Sequence, residues 1–463
     1  MTAAADPILT VAQMRAAEEA LIAGGETVDS LMQRAGKGAA EWVWRVAGGR
    51  PVTVLCGPGN NGGDGYVIAE TLRRRGIAVT VVAPMEPQTG AAQRARAAYG
   101  GPLAESGKGG VLVDCLFGSG LTRPLGATLA GLLRDLALHH HYRIAVDLPS
   151  GVESDSGALL DEGLPHYELT IALGAWKFAH WLMPAMAAMG ERKLVPIGVS
   201  AVQGAASLLA RPHFSAPDAN AHKYMRGLVL VVGGGMAGAS MLACEGALRS
   251  GAGAVRLTST HPHPSVSPDV VLKDQPLEEL LRDERTNAVL VGPGLGLDDE
   301  AKKRLAEVLK ADLPTVADAD ALTALSPELL GDRAAPLILT PHAGEMARLV
   351  KRFAIGAAGK VAQAKALADA TKAVVVAKGP DTVIAAPDGR TVLAPSPTSW
   401  LAVAGTGDVL AGAAASRLAV LGDPFTAACE AVWLHGEAAR QAGPAFLASD
   451  LAKAVSRAYA AAL

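Results

Sequence analysis

The segment CGPGNNGGDG, from Cys56 to Gly65, combines closely spaced glycines with amide and carboxylate side chains. Its glycines match G-x-G-x-x-G at Gly57, Gly59 and Gly62, a spacing typical of turns that hold a dinucleotide pyrophosphate at a helix N-terminus. Asp64 belongs to the predicted first turn of that helix, where its carboxylate would repel a pyrophosphate. This turn is therefore predicted to bind a different chemical group.

Oxygen-bearing side chains follow three predicted strands in the N-terminal half of the chain. They are Asn60, Asn61 and Asp64 after the first strand, Asp114 at the end of the second, and Asp147 and Ser150 after the third. Because the carboxyl ends of parallel strands meet at one edge of a sheet, these oxygens are expected to converge. Such oxygens suit a hard cation, and an aspartate among them can also transfer protons or bind sugar hydroxyls. For any one of these residues, a simple capping role at a helix or turn is an equally good interpretation.

In the C-terminal half, the segment AGTGDVLAG, from Ala404 to Gly412, predicts an anion site. Its small residues let backbone N–H groups approach an anion, and the helix that begins there directs its positive end at that anion. Asp408 then lies beside the anion and can take a proton from an attacking hydroxyl, as in the phosphoryl transfer of ribokinase-like kinases. The segment KGPDT, from Lys378 to Thr382, follows another strand and can wrap a nucleotide phosphate. The competing interpretation is a tight glycine turn that Asp408 merely caps.

These motifs are positioned by strand-like runs that alternate with helical ones along nearly the whole chain. Such alternation predicts parallel sheets covered by helices. Residues 211–227, rich in Pro, Ser, Asp and Asn, interrupt the series and are predicted to form a linker. We therefore expect two α/β domains, residues 1–212 and 213–463, with independent sheets. At the N-terminus, Thr10 and Gln13 predict a capping box that opens the first helix.

Composition narrows the possible classes of function. The chain has 463 residues and a formal net charge of −3, and half of its residues are apolar although only 4% are aromatic. This charge provides no general attraction for nucleic acid or acidic membranes, so neither is an expected partner. Four widely spaced cysteines without C-x-x-C favour buried thiols in a reducing compartment, and the N-terminus lacks the pattern of a signal peptide. We expect a cytoplasmic protein without a membrane span.

The motifs together resemble a known family. The segments CGPGNNGGDGYVIAETLRRRG, DCLFGSGLTRPL, DLPSGVESDSG and LTIALGAWKFAHW are similar to the successive signatures of NAD(P)H-hydrate epimerases. The second-domain motifs are similar to those of ADP- or ATP-dependent NAD(P)H-hydrate dehydratases, and the chain as a whole resembles the bifunctional NAD(P)H-hydrate repair enzymes. The resemblance implies a Rossmann-like first domain and a ribokinase-like second domain. It also implies that the chain epimerises the C6 R and S hydrates of NADH and NADPH and dehydrates the S form.

For the first domain, the resemblance implies contacts to the hydrated substrate and a potassium site. The substrate contacts are Asn60, Asn61, Gly62, Gly63, Asp64, Gly118, Ser119, Gly120, Leu121, Thr122, Arg123, Pro124 and Asp147. The potassium ligands are Asn61, Asp114 and Ser150. Asp147 is the expected proton-transferring residue, because epimerising a carbinolamine carbon needs a base beside the ring.

For the second domain, the resemblance implies contacts to the same substrate and to an adenine nucleotide. The substrate contacts are Ala252, Gly294, His342 and Asp408, and the nucleotide contacts are Lys378, Gly379, Pro380, Asp381, Thr382 and Gly407. Asp408 is the expected catalytic base, since phosphorylating the C6 hydroxyl makes it a good leaving group and elimination then restores the dihydronicotinamide. The phosphoryl donor is ADP or ATP with Mg²⁺, and ADP is favoured because fused bacterial members of the family prefer it. A homo-oligomer is also expected.

Two departures from the family pattern concern the second domain. Ala343 replaces a usual Pro, which should loosen the turn that holds His342. The Gly-Asn pair that usually precedes the anion site is missing from SPTSWLAVAGTGD, so Thr398 or Ser399 must replace the hydrogen bonds of that Asn. If neither does, the dehydratase is weakened while its fold persists. Two alternative functions remain open: a ribokinase-like small-molecule kinase fused to a nucleotide-binding domain, and a catalytically inactive nucleotide-binding scaffold.

Overall fold

The chain folds into two compact units. The computed structural model describes residues 6–200, 202–261, 263 and 266–463. The units are Met1–Ser207 and Leu208–Leu463, so the division falls a few residues before the predicted domain boundary. Within the described part of the chain, no helix is both long enough and apolar enough to cross a membrane.

The first unit is a parallel sheet accompanied by helices. Its strands are β1 Pro7–Leu9, β2 Val52–Cys56, β3 Val79–Val82, β4 Leu103–Ala104, β5 Gly109–Cys115, β6 His140–Val146, β7 Leu169–Leu173, β8 Trp176–Lys177, β9 Glu191–Val195 and, at the boundary, β10 Ala206–Leu208. Its helices are α1 Val11–Ala23, α2 Val28–Ala47, α3 Asn60–Arg74, α4 Gly90–Ala98 and α5 Ala127–Leu138, with 3₁₀ turns at Phe178–His180 and Ala185–Ala188. The main sheet has the order β4-β3-β2-β5-β6-β7-β9, and all of its strands are parallel. The chain order reverses between β2 and β5, and ligands of open parallel sheets bind beside such a reversal.

The second unit contains a larger mixed sheet. Its strands are β11 Leu228–Val232, β12 Ala254–Thr258, β13 Val270–Lys273, β14 Ala288–Val291, β15 Thr315–Ala317, β16 Leu337–Leu339, β17 Val374–Ala377, β18 Asp381–Ala385 and β19 Thr391–Pro395. Its helices are α6 Ala237–Arg249, α7 Leu277–Leu281, α8 Asp299–Lys310, α9 Ala319–Ala324, α10 Pro327–Leu330, α11 Ala343–Arg352, α12 Lys360–Thr371, α13 Thr406–Leu421, α14 Pro424–Ala442 and α15 Ala448–Ala461, with a 3₁₀ turn at Ser399–Leu401. Parallel strands run in the order β13-β12-β11-β14-β15-β16-β17, and β18 and β19 continue the sheet antiparallel.

Local sequence explains how the first unit begins. The predicted capping box is present: Thr10 Oγ1 accepts the Gln13 N–H, and the Thr10 N–H donates to the Gln13 side chain. Strand β2 is buried along its whole length, as expected of an apolar strand covered on both faces of a parallel sheet. The glycines after β2 permit a close backbone approach, because a Cβ on Gly57 would lie 1.7 Å from the Leu116 carbonyl oxygen. Helix α3 therefore starts directly against the end of β5.

The predicted linker is in part an anchored segment. Phe214 is buried in the apolar cluster of α14 and α15, and its ring stacks on Tyr459 with the centroids 4.4 Å apart. The Arg417 guanidinium lies 4.9 Å from the centre of the Phe214 ring. The composition of residues 211–227 predicts a loop, but one apolar residue is enough to fasten its start to the second unit.

Candidate active sites

A cavity of about 500 Å³ opens at the carboxyl edge of the first unit's sheet, beside the reversal between β2 and β5. Among the predicted substrate contacts, it is lined by Asn60, Asn61, Asp64, Gly118, Ser119, Gly120, Leu121 and Asp147. The other predicted contacts are outside its lining: Gly62 and Gly63 are buried in α3, and Thr122, Arg123 and Pro124 are exposed. Helices α1 and α2 close the cavity with residues that include Met14, Arg15, Glu18 and Met32. The structure thus brings together the core of the predicted substrate site.

Asp147 is held rigidly at the bottom of this cavity by its own backbone and by two donors. It adopts the left-handed conformation, with φ 66°, which is uncommon for a non-glycine residue. The Ser119 N–H donates to Oδ2 at 2.9 Å, and Lys177 Nζ donates to Oδ1 at 2.5 Å. A Cβ on Gly118 would lie 2.7 Å from Oδ2, so glycine is required for this loop to approach the carboxylate. Asp147 is therefore fixed in position before a substrate enters.

The charge state of Asp147 is set by Lys177. Burial alone would raise the pKa of Asp147, but the positive charge and hydrogen bond of Lys177 outweigh burial and hold the pKa below its usual value. Lys177 itself is buried and also donates to the Leu173 carbonyl at 2.6 Å. His180 accepts the Lys177 N–H on Nδ1, and its Nε2 lies 2.7 Å from the Asp147 carbonyl oxygen. Burial lowers the pKa of His180 to about 4, so its ring is neutral and donates from Nε2.

Asp64 lines the same cavity, but its pKa is shifted in the opposite direction from that of Asp147. Burial raises its pKa well above the usual value, and the negative charges of Asp147 and Glu18 raise it further. Within the described part of the chain, no group donates a hydrogen bond to the Asp64 carboxyl. Contrary to the sequence-based expectation, Asp64 lies in the second turn of α3, since the helix begins at Asn60. The cavity thus contains one ionised carboxylate and one carboxyl that favours the protonated form.

The three predicted potassium ligands lie at the same edge of the sheet. Ser150 Oγ donates to Asp114 Oδ1 at 2.7 Å, and the Asp114 carboxylate also accepts the Tyr167 hydroxyl at 2.6 Å. Burial raises the pKa of Asp114, while these hydrogen bonds oppose the rise. Asn61 Nδ2 donates to the Val146 carbonyl at 3.0 Å, which leaves Asn61 Oδ1 buried without a hydrogen-bond partner. A buried amide oxygen that lacks a donor fits a hard monovalent cation.

The second site lies at the N-terminus of α13. Its N-cap residue Gly405 has φ 90°, and no side chain caps the helix. The Thr406 N–H donates to the Val403 carbonyl at 3.4 Å, so the N–H groups of Gly407 and Asp408 are the ones left for an anion. Asp408 is the third residue of α13, and a Cβ on Gly407 would lie 3.3 Å from Lys378 Nζ. Burial, followed by the negative charge of Asp318, raises the pKa of Asp408 to about 7. A carboxyl with this pKa is matched to general base catalysis near neutral pH.

Lys378 is positioned by a residue that the sequence motifs did not identify. Its Nζ donates to Asp318 Oδ1 at 2.7 Å, and the Asp318 side chain is almost fully buried after β15. Elsewhere in the KGPDT segment, Thr382 Oγ1 donates to the Gly379 carbonyl at 2.9 Å, and Lys360 Nζ donates to Asp381 Oδ1 at 2.5 Å. The two predicted nucleotide segments, residues 378–382 and Gly407, therefore meet at Lys378.

The predicted substrate contacts of the second unit occupy different places. Gly294 follows β14 beside the strand-order reversal, and His342 follows β16, so both lie at the carboxyl edge. His342 caps α11 by accepting the Gly344 N–H on Nδ1, and Ala343 forms the first turn without loss of that cap. Ala252 lies at the other edge, two residues before β12, where it is buried in the core. The structure does not bring Ala252 to Asp408.

The altered segment before the anion site forms its own hydrogen bonds. Thr398 Oγ1 accepts the Trp400 N–H at 3.2 Å and so caps the 3₁₀ turn Ser399–Leu401. Thr406 Oγ1 donates to the carbonyls of Leu401 and Val403 at 3.0 and 2.9 Å. In the described residues, neither Thr398 nor Ser399 forms a hydrogen bond with α13. The expected replacement for the missing Asn is therefore wrong for both residues, and the backbone is held through Thr406 instead.

Sequence reasoning missed the two lysine–aspartate pairs as units. Lys177 and His180 lie within LTIALGAWKFAHW, and Asp318 lies within TVADADAL, segments that otherwise indicate apolar strands. Lys177 is buried at the end of the short strand β8, whereas Lys378 is half-buried directly after β17. A lysine is rarely buried without a partner, but its burial and the identity of that partner depend on which strands are neighbours.

Comparison with known proteins identifies both units. The family described as NAD(P)H-hydrate dehydratase matches residues 229–460, and the family described as YjeF-related protein N-terminus matches residues 28–179. A bifunctional NAD(P)H-hydrate repair enzyme of Gloeobacter violaceus is 36% identical and covers 93% of this chain and 92% of its own length. Another from Mycobacterium tuberculosis is 36% identical, covering 89% of this chain and 88% of its own.

The solved structures that are similar to this chain cover about half of it. A ribokinase-like protein of Enterococcus faecalis is 23% identical, with a TM-score of 0.50, and covers 57% of this chain and 98% of its own. This similarity confirms the predicted ribokinase-like fold. An ADP/ATP-dependent NAD(P)H-hydrate dehydratase of Bacillus subtilis, co-crystallised with ATP and Mg²⁺, is 31% identical with a TM-score of 0.48 and covers 54% and 95% of the two chains.

Proposed function

Because this chain belongs to the family of bifunctional NAD(P)H-hydrate repair enzymes, we propose that its two sites divide the family's two reactions between them. The chain is an NAD(P)H-hydrate epimerase and dehydratase by its family, and this membership favours that function over the kinase and the inactive scaffold. The cavity around Asp147 epimerises the hydrate, and the edge around Asp408 dehydrates it. The observation that supports this assignment is that Asp147, held by Lys177, lines a cavity in the first unit, whereas α13 and Asp408 belong to the second.

Epimerisation at C6 requires the hydroxyl to leave one face of the ring and to return on the other. The ring nitrogen can expel the C6 hydroxyl as water when an acid supplies a proton, and water then adds to the resulting iminium carbon. Asp147 is ionised and takes the proton from the incoming water, while Asp64 retains a proton and supplies it to the departing hydroxyl. Two carboxyls whose pKa values are displaced in opposite directions are typical of such an acid–base pair.

Dehydration converts the C6 hydroxyl into a phosphate ester and then eliminates it. Asp408 takes the hydroxyl proton as the C6 oxygen attacks the terminal phosphoryl group of the donor. The uncapped N–H groups of α13 stabilise the negative charge that develops on that phosphoryl group. Loss of inorganic phosphate from C6 and of a proton from C5 restores the dihydronicotinamide. Asp408, Gly294 and His342 contact the hydrate in this arrangement.

The donor is proposed to be ADP, held by Lys378, Gly379, Pro380, Asp381, Thr382 and Gly407. Lys378 supports this role because its Nζ lies beside Gly407 while Asp318 keeps it in place. The second unit concentrates carboxylates around Asp408, since Asp318, Asp320 and Glu345 all raise the pKa of that residue. Magnesium carried by the phosphates of the donor would offset this negative charge and shield the attacking oxygen from it.

A potassium ion is proposed for the first unit. Asn61, Asp114 and Ser150 would hold it, and the buried Asn61 Oδ1 without a partner is the observation that supports it. The ion would fix the start of α3, which carries Asn60 and Asn61, against the end of β5. The ion would thereby affect how tightly the hydrated ring binds and how that ring is oriented relative to Asp147.

The cellular compartment and the oligomeric state of the protein are also proposed. The free cysteines Cys56, Cys115 and Cys244 are buried and Cys429 is half-buried, which supports a reducing compartment such as the cytoplasm. A homo-oligomer is proposed, and light scattering of the purified chain tests it.

The central experiment mixes the full-length protein with hydrated NADH and ADP and follows the dihydronicotinamide absorbance. We expect the S form to be converted first and the R form to follow through epimerisation, until both are consumed. Conversion that stops when the S form is exhausted would refute the epimerase assignment. No conversion of the purified S form with either ADP or ATP would refute the dehydratase assignment.

A further inference from the structure

Trp400 is a large aromatic side chain left exposed in the second unit. It is 48% exposed, whereas tryptophan is on average a highly buried residue. In the part of the chain that the structure describes, no other ring stacks on its indole and no cation lies over it. Such a surface is free to stack against a flat ligand.

The exposed indole stands on a rigid support. The 3₁₀ turn Ser399–Leu401 is capped by Thr398, and Leu401 packs against the apolar cluster of α14 and α15. The Leu401 carbonyl also accepts the Thr406 hydroxyl at 3.0 Å, which ties the turn to the start of α13. Because the backbone under the indole is held in this way, less conformational entropy is lost when a ligand stacks on the ring than on a free loop.

The support lies between the two segments proposed to hold the phosphoryl donor. Strand β19 pairs with β18, so Pro395 lies opposite Asp381 and Ala394 opposite Thr382. The Ser396 N–H then donates to the Pro380 carbonyl at 2.7 Å. The chain therefore runs from Ser396, which is bonded to the KGPDT segment, through Trp400 to Gly407 at the start of α13.

We propose that Trp400 is the platform on which the adenine ring of the phosphoryl donor stacks. This proposal rests on the donor site described above, and it adds a recognition element for the base, which phosphate contacts alone do not supply. Adenine fits better than the nicotinamide ring, because the hydrated ring has to reach Asp408 and is no longer aromatic. Base–aromatic stacking tolerates either ADP or ATP, since both present the same ring.

Calorimetry on the full-length protein tests the proposal with ADP and inorganic tripolyphosphate as ligands. Trp400→Ala should weaken ADP binding by about 5- to 150-fold, the change produced by losing one base–aromatic stack, and leave tripolyphosphate binding unchanged. Trp400→Phe keeps a smaller ring and should retain most of the affinity for ADP. Trp44, 44% exposed on α2 of the first unit, provides the matched control, and Trp44→Ala should not change ADP binding.

The outcomes separate this proposal from the donor site on which it rests. Wild-type affinity for ADP in Trp400→Ala would overturn the platform alone, because the donor site would still bind. Equal losses for ADP and tripolyphosphate would also overturn it, since the substitution would then have disturbed the phosphate contacts. A wild-type protein that fails to bind ADP and ATP overturns the donor site and the platform together. If Trp400→Ala weakens hydrated NADH instead of ADP, the ring serves the other ligand and the proposal is wrong.

Discussion

Replacing Lys177 by Met should destabilise the first unit and abolish its chemistry while sparing the second. Lys177 Nζ lies 2.5 Å from Asp147 Oδ1, and the two side chains are only 2% and 10% exposed. Removing one partner of such a buried pair leaves an uncompensated charge and costs about 3–5 kcal/mol of folding free energy. Without Lys177, burial raises the pKa of Asp147, so the carboxyl that should accept a proton is already protonated. We expect epimerisation to fall by about 10²- to 10⁴-fold.

The loss of stability should depend on pH in a defined direction. Pairing holds the pKa of Asp147 in the folded protein below its value in the unfolded chain, which is about 3.9. The stabilisation is therefore fully present above that value and is lost as the pH falls through the lower folded pKa. The difference in unfolding free energy between wild type and Lys177→Met should be largest at neutral pH and should shrink below about pH 4.

Urea unfolding at several pH values measures the stability, and chiral chromatography of the hydrate measures epimerisation. Dehydration of the purified S form serves as the internal control, because it depends on the second unit. In the double variant Lys177→Met, Asp147→Asn, neither member of the buried pair carries a charge, so it should be more stable than either single variant and equally inactive as an epimerase. Additive effects on stability, or wild-type epimerisation by Lys177→Met, would show that the pair does not control Asp147.

Three further predictions concern the remaining charged groups. Asp408→Asn should reduce dehydration by about 10²- to 10⁴-fold and leave epimerisation intact; loss of both activities in a folded protein, by the same two assays, would point to one shared site. The rate of dehydration of the S form should increase with pH through about 7 as Asp408 ionises. Asp318→Asn removes a nearby negative charge, so it should move the midpoint of this pH–rate profile to lower pH. An unchanged midpoint would contradict the influence of Asp318 on the pKa of Asp408. Potassium should accelerate epimerisation relative to a bulky organic cation, and Asn61→Ala should remove this dependence; equal initial rates of wild type in both salts would exclude the ion site.

Much of the fold follows from local patterns in the sequence. The apolar strands, the alternating helices and the capping box at Thr10 and Gln13 depend on residues close together in the chain, and all are present. That Asp64 and Asp147 line one cavity also followed, because parallel strands place their carboxyl ends at one edge of the sheet. Asp114 ends β5 at the same edge but lies outside the lining of that cavity. These predictions needed only periodicity and the geometry of a parallel sheet.

Other features depend on contacts that sequence patterns do not specify. Lys177 meets Asp147 across 30 positions of chain, and Lys378 meets Asp318 across 60. Within the three consecutive histidines at positions 139–141, His140 is buried and its Nε2 lies 2.8 Å from Thr53 Oγ1. In each case the partner lies on or after a distant strand, and the local sequence pattern does not indicate which strands are neighbours in the sheet.

Each unit contains a lysine–aspartate pair, and in the proposed assignment the two pairs have different roles that match the chemistry of each reaction. In the first unit the paired carboxylate, Asp147, lines the cavity, and Lys177 keeps it ionised. Burial raises the pKa of Asp64 in the same cavity, so this second carboxyl can remain protonated. Epimerisation needs both states at once, because a proton is taken from one oxygen and given to another. In the second unit the pair of Lys378 and Asp318 supports Asp408, whose pKa of about 7 suits a single base. Phosphoryl transfer requires only one proton to be removed, and the charge that develops is stabilised by backbone N–H groups, so no second carboxyl has to act as an acid.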